Sequence, residues 1–349
     1  MLKATEKKSP LVRYAENPIL KADPANAWED LCVLNPAVIY DEKRKKFVML
    51  YRAAGHDVEH RIYFGLAESE DGFHFERVSA QPALSPNPDD ADGGCLEDPR
   101  LVQIDGVYYV VYAARAYAPG RYWLSDEEYE KLGYRPETTP ASAPYFQHKN
   151  NTVSYLAATK DFKRWKRLGR ITDARFDDRD VLIFPERVNG KFVRISRPKI
   201  PGAPVKMPSV WITFSDDLLE WGEPKVLFTG EQWWETARIG AGCPPIKHKK
   251  GWFMLYHGVD GAVGNLGTYR VGAVMLDLND PSKVIARTKN FLMEPKEPFE
   301  TEGLYGDCVF PTGNVLKDGT LYIYYGCADK YVAVVTADFD ELVDAVFEG

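Results

Sequence analysis

One pattern recurs five times along these 349 residues. A short apolar strand leads into a turn with charge or glycine, then into an aromatic-rich strand ending near Tyr or Arg. A further strand and a turn of the Asp-x-x-x-Trp kind often follow. The copies read NPAVIYDEKRKKFVMLYRAAG with IYFGLAESEDGFHFERV; EDPRLVQIDGVYYVVYAARA with NTVSYLAATKDFKRWKRL; LIFPERVNGKFVRISRP with SVWITFSDDLLEWGEPKVL; GCPPIKHKKGWFMLYHGV with YRVGAVMLDLNDPSKVIAR; and CVFPTGNVLKDGTLYIYYGCAD with YVAVVTADFDELVDAV. They begin near Asn35, Glu97, Leu182, Gly242 and Cys308, at steps of about 60 to 85 residues. A repeat of this kind decides the architecture before any single strand is assigned.

Each copy reads as an antiparallel meander of four short strands. Asp105-Gly106, Asn189-Gly190, Lys250-Gly251 and Asp318-Gly319 sit between alternating apolar runs as hairpin turns. Aromatics make up 13% of the chain, which also has 27 Gly and 24 Pro, and that balance favours strands over helices. The expected fold is all-β: a five-bladed β-propeller of four-stranded antiparallel blades, a single domain over residues 1–349. A β-sandwich with similar turns is the competing arrangement. The one convincing helix is Ser125–Leu132, with a Ser cap and an acidic first turn. It falls in a Pro-rich insertion of about 117–149 that interrupts the second blade, as functional loops do.

The charge balance excludes one large class. Lys+Arg 44 against Asp+Glu 51 gives a net charge of −7, and a general nucleic-acid binder needs a basic face. The sequence holds no apolar run long enough for a membrane helix, and its first residues carry no apolar signal region. Five widely spaced cysteines (Cys32, Cys95, Cys243, Cys308, Cys327) fit free thiols in a reducing cytoplasm, with no zinc spacing and no metal site. No nucleotide loop is present either.

In a propeller the inner strands converge on a channel. The starts of these strands carry Asn35-Pro36, Glu97-Asp98-Pro99-Arg100, Asp180, Gly240-Ala241-Gly242 and Asp307. A carboxylate at a channel mouth is costly unless paired or functional. Arg52, Arg115, Arg197 and His257 are read at one repeat position, the end of the second strand, and Arg238 precedes the fourth blade. A guanidinium in an apolar strand needs an anion. Carboxylates and cations in one channel suggest a sugar substrate plus an oxyanion, with Trp233, Trp234, Tyr256 and Tyr305 available to stack on sugar faces.

EDPR at Glu97–Arg100, LIFPE at Leu182–Glu186, SRP at Ser196–Pro198, RIGAGCPPIK at Arg238–Lys247, GWFMLYHGV at Gly251–Val259 and DCVFPTG at Asp307–Gly313 resemble glycoside hydrolase family 130, the β-mannoside phosphorylases and related β-mannosidases. The resemblance runs from about Asn35 to Asp329 and also implies a five-bladed propeller. It implies inverting phosphorolysis: inorganic phosphate attacks the anomeric carbon of a terminal β-mannosyl unit and yields α-mannose 1-phosphate and a shortened acceptor. Asp98 would be the general acid, its proton routed through a mannose hydroxyl. Arg197, Arg238 and His257 occupy the phosphate-binding motif positions, with Arg115 added. Asn35, Arg52, Glu97, Asp180, Tyr256 and Asp307 would bind substrate. Ser196 stands where the family has His, Arg238 where Lys is common, and Arg179-Asp180 where Lys-Asp or Lys-Asn is common. Phosphate is a co-substrate and no cofactor is expected; homo-oligomer formation is left open. The alternative is an inverting β-mannosidase, with Glu235 or Asp307 as base.

Overall fold

The computed structural model describes residues 9–90, 92–121, 124–133, 150–261 and 267–349. A short strand, β1 (Val12–Arg13), precedes five antiparallel meanders. The first comprises β2 (Cys32–Asp41), β3 (Lys46–Ala54), β4 (Ile62–Ser69) and β5 (Glu76–Arg77). The second has β6 (Cys95–Ile104), β7 (Val107–Arg115), β8 (Val153–Thr159) and β9 (Lys166–Arg170). The third has β10 (Asp178–Ile183), β11 (Phe192–Pro198), β12 (Val210–Ser215) and β13 (Lys225–Phe228). In the fourth, β14 (Arg238–Ala241) and β15 (Ile246–His248) both pair with β16 (Gly251–Val259) as one interrupted inner strand, followed by β17 (Tyr269–Leu276) and β18 (Val284–Arg287). The fifth has β19 (Val309–Lys317), β20 (Thr320–Cys327) and β21 (Tyr331–Asp338), and β1 fills its outer place by pairing Val12 with Thr336. The first two meanders touch at one parallel bridge, Ile62 to Cys95.

Alternation along each strand sends successive side chains to opposite neighbours. Val48 and Leu50 pack towards Val110 and Tyr112 of the second blade, whereas Met49 and Tyr51 pack towards Tyr324 and Val334 of the fifth. The same rule builds a layer between the second and third blades (Val111, Leu156, Val181, Ile183), one between the third and fourth (Ile195, Ile212, Met254, Tyr256) and one between the fourth and fifth (Leu255, Ala273, Ile323, Val335). Five interblade layers close the ring of a five-bladed propeller, latched where the first strand joins the last blade. This excludes the sandwich.

The first four inner strands begin a few residues before the sequence-based starts, at Asp178 rather than Leu182 and at Arg238 rather than Gly242 among them, while the fifth begins at Val309, just after Cys308. Asn35, Glu97, Asp98 and Asp180, taken as strand starts, lie inside the strands, whereas Asp307 precedes β19. Asp105-Gly106, Asn189-Gly190 and Asp318-Gly319 are tight turns with both residues at positive φ. The fourth hairpin turns instead at Lys249-Lys250, since His248 already pairs with Gly251. Helix α1 (Asp126–Leu132) has the expected Ser125 cap, with a reciprocal bond from Glu128. The insertion around it lies largely outside the described residues, including 134–149; its near ends are joined at Asn150, whose side chain bonds both the N–H and the carbonyl of Tyr117. A single turn, α2 (Pro298–Thr301), enters the fifth blade, and α3 (Phe339–Glu348) covers the layer between blades four and five. All five cysteines are buried free thiols.

Four blades carry the same buried clamp. A tyrosine on the second strand donates to a carboxylate in the linker entering the blade, and an arginine on the outer strand pairs with it. In blade one Tyr51 donates to Glu29 at 2.9 Å and Arg77 lies 3.0 Å away. In blade two Tyr112 and Arg167 meet Asp92 at 2.9 and 2.7 Å. In blade four Tyr256 and Arg287 meet Glu235, both at 2.6 Å. In blade five Tyr325 and Arg13 meet Glu300, both at 2.8 Å. All four carboxylates are fully buried. Each arginine also bonds a linker carbonyl, at Lys21, Ser85, Thr229 and Glu294 respectively. Blade three has Ser196 in the tyrosine place.

Removing one partner of a buried ion pair strands the other charge, at about 3–5 kcal/mol. Arg287→Met should therefore lower the unfolding free energy by about that amount in equilibrium denaturation. A loss under about 1 kcal/mol would show that the clamp does not anchor the blade.

Candidate active site

Strand register gives one equivalent place on each second strand: Arg52 opposite Leu34, Ala113 opposite Glu97, Arg197 opposite Arg179, His257 opposite Gly240 and Gly326 opposite Phe310. Arg115 does not share this place, contrary to the sequence reading. It pairs with Cys95, because the marker tyrosine of that strand is Tyr112 and Ala113 is the residue that follows it. The next residue of each of the first three inner strands sits in a bulge with left-handed backbone: Asn35 at φ 45°, Asp98 at 51° and Asp180 at 54°. Asn and Asp tolerate that conformation better than other non-glycine residues. The bulge re-aims these side chains towards the second-strand cations.

These residues form one connected cluster. Asp98 Oδ1 accepts from Asn35 Nδ2 at 2.7 Å and from Arg52 Nη1 at 3.0 Å. Arg52 also lies 3.5 Å from Glu97, and Arg115 lies 3.7 Å from the other oxygen of Glu97. Asp180 Oδ2 meets Arg197 at 3.0 Å and His257 Nε2 at 3.5 Å. His257 stacks on Tyr269, whose hydroxyl accepts from Arg238 at 2.9 Å. Close approach is bought with glycine at the two blades where the cluster is tightest. A Cβ on Gly326 would fall 1.8 Å from Asn35 Oδ1, and one on Gly240 would fall 2.0 Å from Asp180 Oδ2.

The charges are set by burial and by neighbours. Burial pushes the Glu97 carboxyl up, but Arg52, Arg115 and Arg179 outweigh it and hold it below the usual range. At Asp180 burial wins over Arg197 and Arg100, and Asp98 adds to it, so that carboxyl is raised. Burial, then Arg197, Arg238 and Arg100, push His257 well below its ordinary value, so its imidazole is neutral. Asp178, beneath the cluster, accepts the Arg197 N–H at 3.0 Å, and burial raises it to about 7. The arrangement sets carboxyl groups beside several guanidinium groups and the His257 imidazole, a combination suited to proton transfer next to an anion.

Other expected residues lie elsewhere. Tyr256 neighbours His257 but points to the opposite side of β16, where it belongs to the Glu235 clamp in the layer between blades three and four. Glu235 itself accepts from Glu231 and Gln232 N–H groups as well as from Tyr256, and it is fully buried, so it has no access to water as a base. Asp307 is exposed just ahead of β19, and among the described residues no bond of its carboxylate joins it to the cluster. Trp234 is buried in the core, whereas Trp233 is 58% exposed under the Arg270 guanidinium. Sequence reasoning missed Arg100, Arg179 and Asp178. Arg100 was visible in EDPR but was counted only as part of the signature; Arg179 reaches Asp177 at 3.0 Å and stands beside Glu97 and Asp98.

The family description "beta-1,4-mannooligosaccharide phosphorylase" matches residues 12–132 and 145–348. A 1,2-beta-oligomannan phosphorylase of Thermoanaerobacter sp. (strain X514) is 37% identical over 338 residues, which is 95% of this chain and 98% of that protein. A beta-1,2-mannobiose phosphorylase of the same organism is 33% identical over 344 residues, again 95% of this chain and 98% of that protein. The solved beta-1,2-mannobiose phosphorylase of Listeria innocua, in complex with beta-1,2-mannobiose, superposes with a TM-score of 0.78 at 26% identity, over 97% of this chain and 99% of that one.

The buried neutral imidazole gives a direct test. In ¹⁵N-histidine NMR, His257 should keep the shifts of a neutral ring as pH falls through about 6.5, the ordinary histidine value. A titration of His257 near that value would contradict the electrostatics of the cluster.

Proposed function

This chain belongs to glycoside hydrolase family 130, and from that premise we propose that it is an inverting β-mannoside phosphorylase acting on β-1,2-linked mannosides. It converts the substrate and inorganic phosphate to α-mannose 1-phosphate and a shortened acceptor. The linkage follows the relatives above, whose names specify β-1,2 bonds.

The observation that carries the reading is the joining of Asp98 to a cation-lined cluster. Asn35 and Arg52 both bond Oδ1 of Asp98, so Oδ2 is the oxygen left for substrate. Asp98 is the general acid, and Asn35, Arg52, Glu97 and Asp180 surround the mannosyl unit. Arg197, Arg238 and His257, with Arg115 at the edge, receive phosphate. A hydrolase needs a second carboxylate to activate water, with room for that water between the two. A phosphorylase needs only the acid, because phosphate is already a nucleophile; binding energy goes into holding it in line. A neutral His257 suits this role, since it donates a hydrogen bond without competing with the guanidinium groups for Asp180. Single displacement from the face opposite the leaving group inverts the anomeric centre.

The reaction run in reverse tests both chemistry and linkage. With α-mannose 1-phosphate and mannose, the protein should release phosphate and form β-1,2-mannobiose. Asp98→Asn keeps an oxygen for Asn35 and Arg52 but has no acidic proton, and should slow the reaction by about 10²–10⁴-fold. A β-1,4 product would overturn the linkage, and a near-unchanged rate in Asp98→Asn would overturn the assignment of the acid.

A further inference from the structure

Arg100 lies two residues after Asp98 on β6 and is 2% exposed. Its Nη1 donates to the carbonyl of Asp98 at 2.7 Å, and its Nε donates to the carbonyl of Gly242 at 3.0 Å, at the break between β14 and β15. Its Nη2 lies 4.0 Å from Asp180 Oδ1 and makes no hydrogen bond among the described residues. The guanidinium sits 5.3 Å from the centroid of the Phe310 ring. One side chain therefore touches blades two, three, four and five across the middle of the ring.

The two bonded carbonyls both sit where the backbone departs from regular pairing. Asp98 has left-handed backbone inside a bulge, so its carbonyl has no ladder partner there. Gly242 lies where the inner strand of blade four is interrupted, against Leu255 and Pro311 of the adjacent strands. A planar fork with several N–H groups can hold two carbonyls and still face a carboxylate, whereas an ammonium on a flexible stem cannot keep all three directions.

We propose that Arg100 is a positioning residue: it fixes the Asp98 peptide so that the acid meets the mannosyl unit, and it ties that peptide to Asp180 and to the cation cluster. The inference rests on the reading of Asp98 as the acid. Arg100 touches no reacting atom. Its effect is on where Asp98 and Asp180 stand, and a small misplacement of reacting groups costs roughly 10²-fold in rate.

Two replacements separate position from charge. Arg100→Lys keeps a cation but cannot bridge both carbonyls, and Arg100→Met removes the cation as well. In both, kcat of phosphorolysis should fall roughly 10²-fold, with the mannoside KM changed by less than about threefold. Thermal unfolding of each variant gives the folded fraction to which kcat is referred. If kcat per folded molecule stays within about threefold of the parent in either variant, or the mannoside KM rises as much as kcat falls, Arg100 is only a strut in the core. Activity surviving in Asp98→Asn would instead sink the assignment of the acid, so the two failures are distinct.

Discussion

A carboxylate taken out of water must find a cation, and this propeller meets that demand at two radii. At the outer radius Glu29, Asp92, Glu235 and Glu300 are fully buried, each held by a tyrosine and an arginine of its own blade. These clamps join three parts of a blade that sheet pairing alone does not: the entering linker, the second strand and the outer strand. Their tyrosines occupy one repeat position, next to the position that faces the axis. Alternation along a strand therefore turns each clamp tyrosine to the interblade layer and the residue after it, Arg52, Ala113, His257 or Gly326, to the central cluster. With the blades fixed from outside, the centre can carry charges that contribute little to stability.

At the inner radius the pairings are looser. Asp98, Glu97 and Asp180 face Arg52, Arg115, Arg197 and Arg100 at 3.0 to 4.0 Å, and one Asp98 oxygen takes both of its bonds. Buried polar atoms with no hydrogen-bond partner among the described residues gather here too, such as Asn35 Oδ1, Arg100 Nη2 and His257 Nδ1. Unspent hydrogen-bonding capacity around an acid and several guanidinium groups is what a polar, anionic substrate pair requires. The left-handed bulges at Asn35, Asp98 and Asp180 set this geometry, and Gly240 and Gly326 leave the space for it.

The repeat, the strand count per blade and three of the four hairpin turns were legible in the sequence, because Asp-Gly and Asn-Gly pairs and alternating apolar runs are local signals. The sequence pattern sets two blade starts late, at Leu182 because Asp180 sits in a bulge within β10, and at Gly242 because the inner strand of blade four is interrupted there. Alignment on strand ends sets Arg115 level with Arg52 and Arg197, whereas the register fixed by Tyr112 puts Ala113 there. Tyr256 and Glu235 looked like site residues because they lie close to His257 and Arg238 in sequence, but one strand position reverses the side faced. Arg100 is visible in the EDPR motif, but its partner is not: the bond to Gly242 spans 142 residues and crosses the ring.

The central claim is that the cation cluster serves phosphate and that no activated water replaces it. The direct measurement follows β-1,2-mannobiose with phosphate present and with phosphate removed completely, assaying free mannose and α-mannose 1-phosphate together. The account requires α-mannose 1-phosphate and mannose in equal amounts when phosphate is present, and at most a slow trickle of mannose when it is absent. Rapid mannose release without phosphate, or a β-configured sugar phosphate with it, would contradict the account.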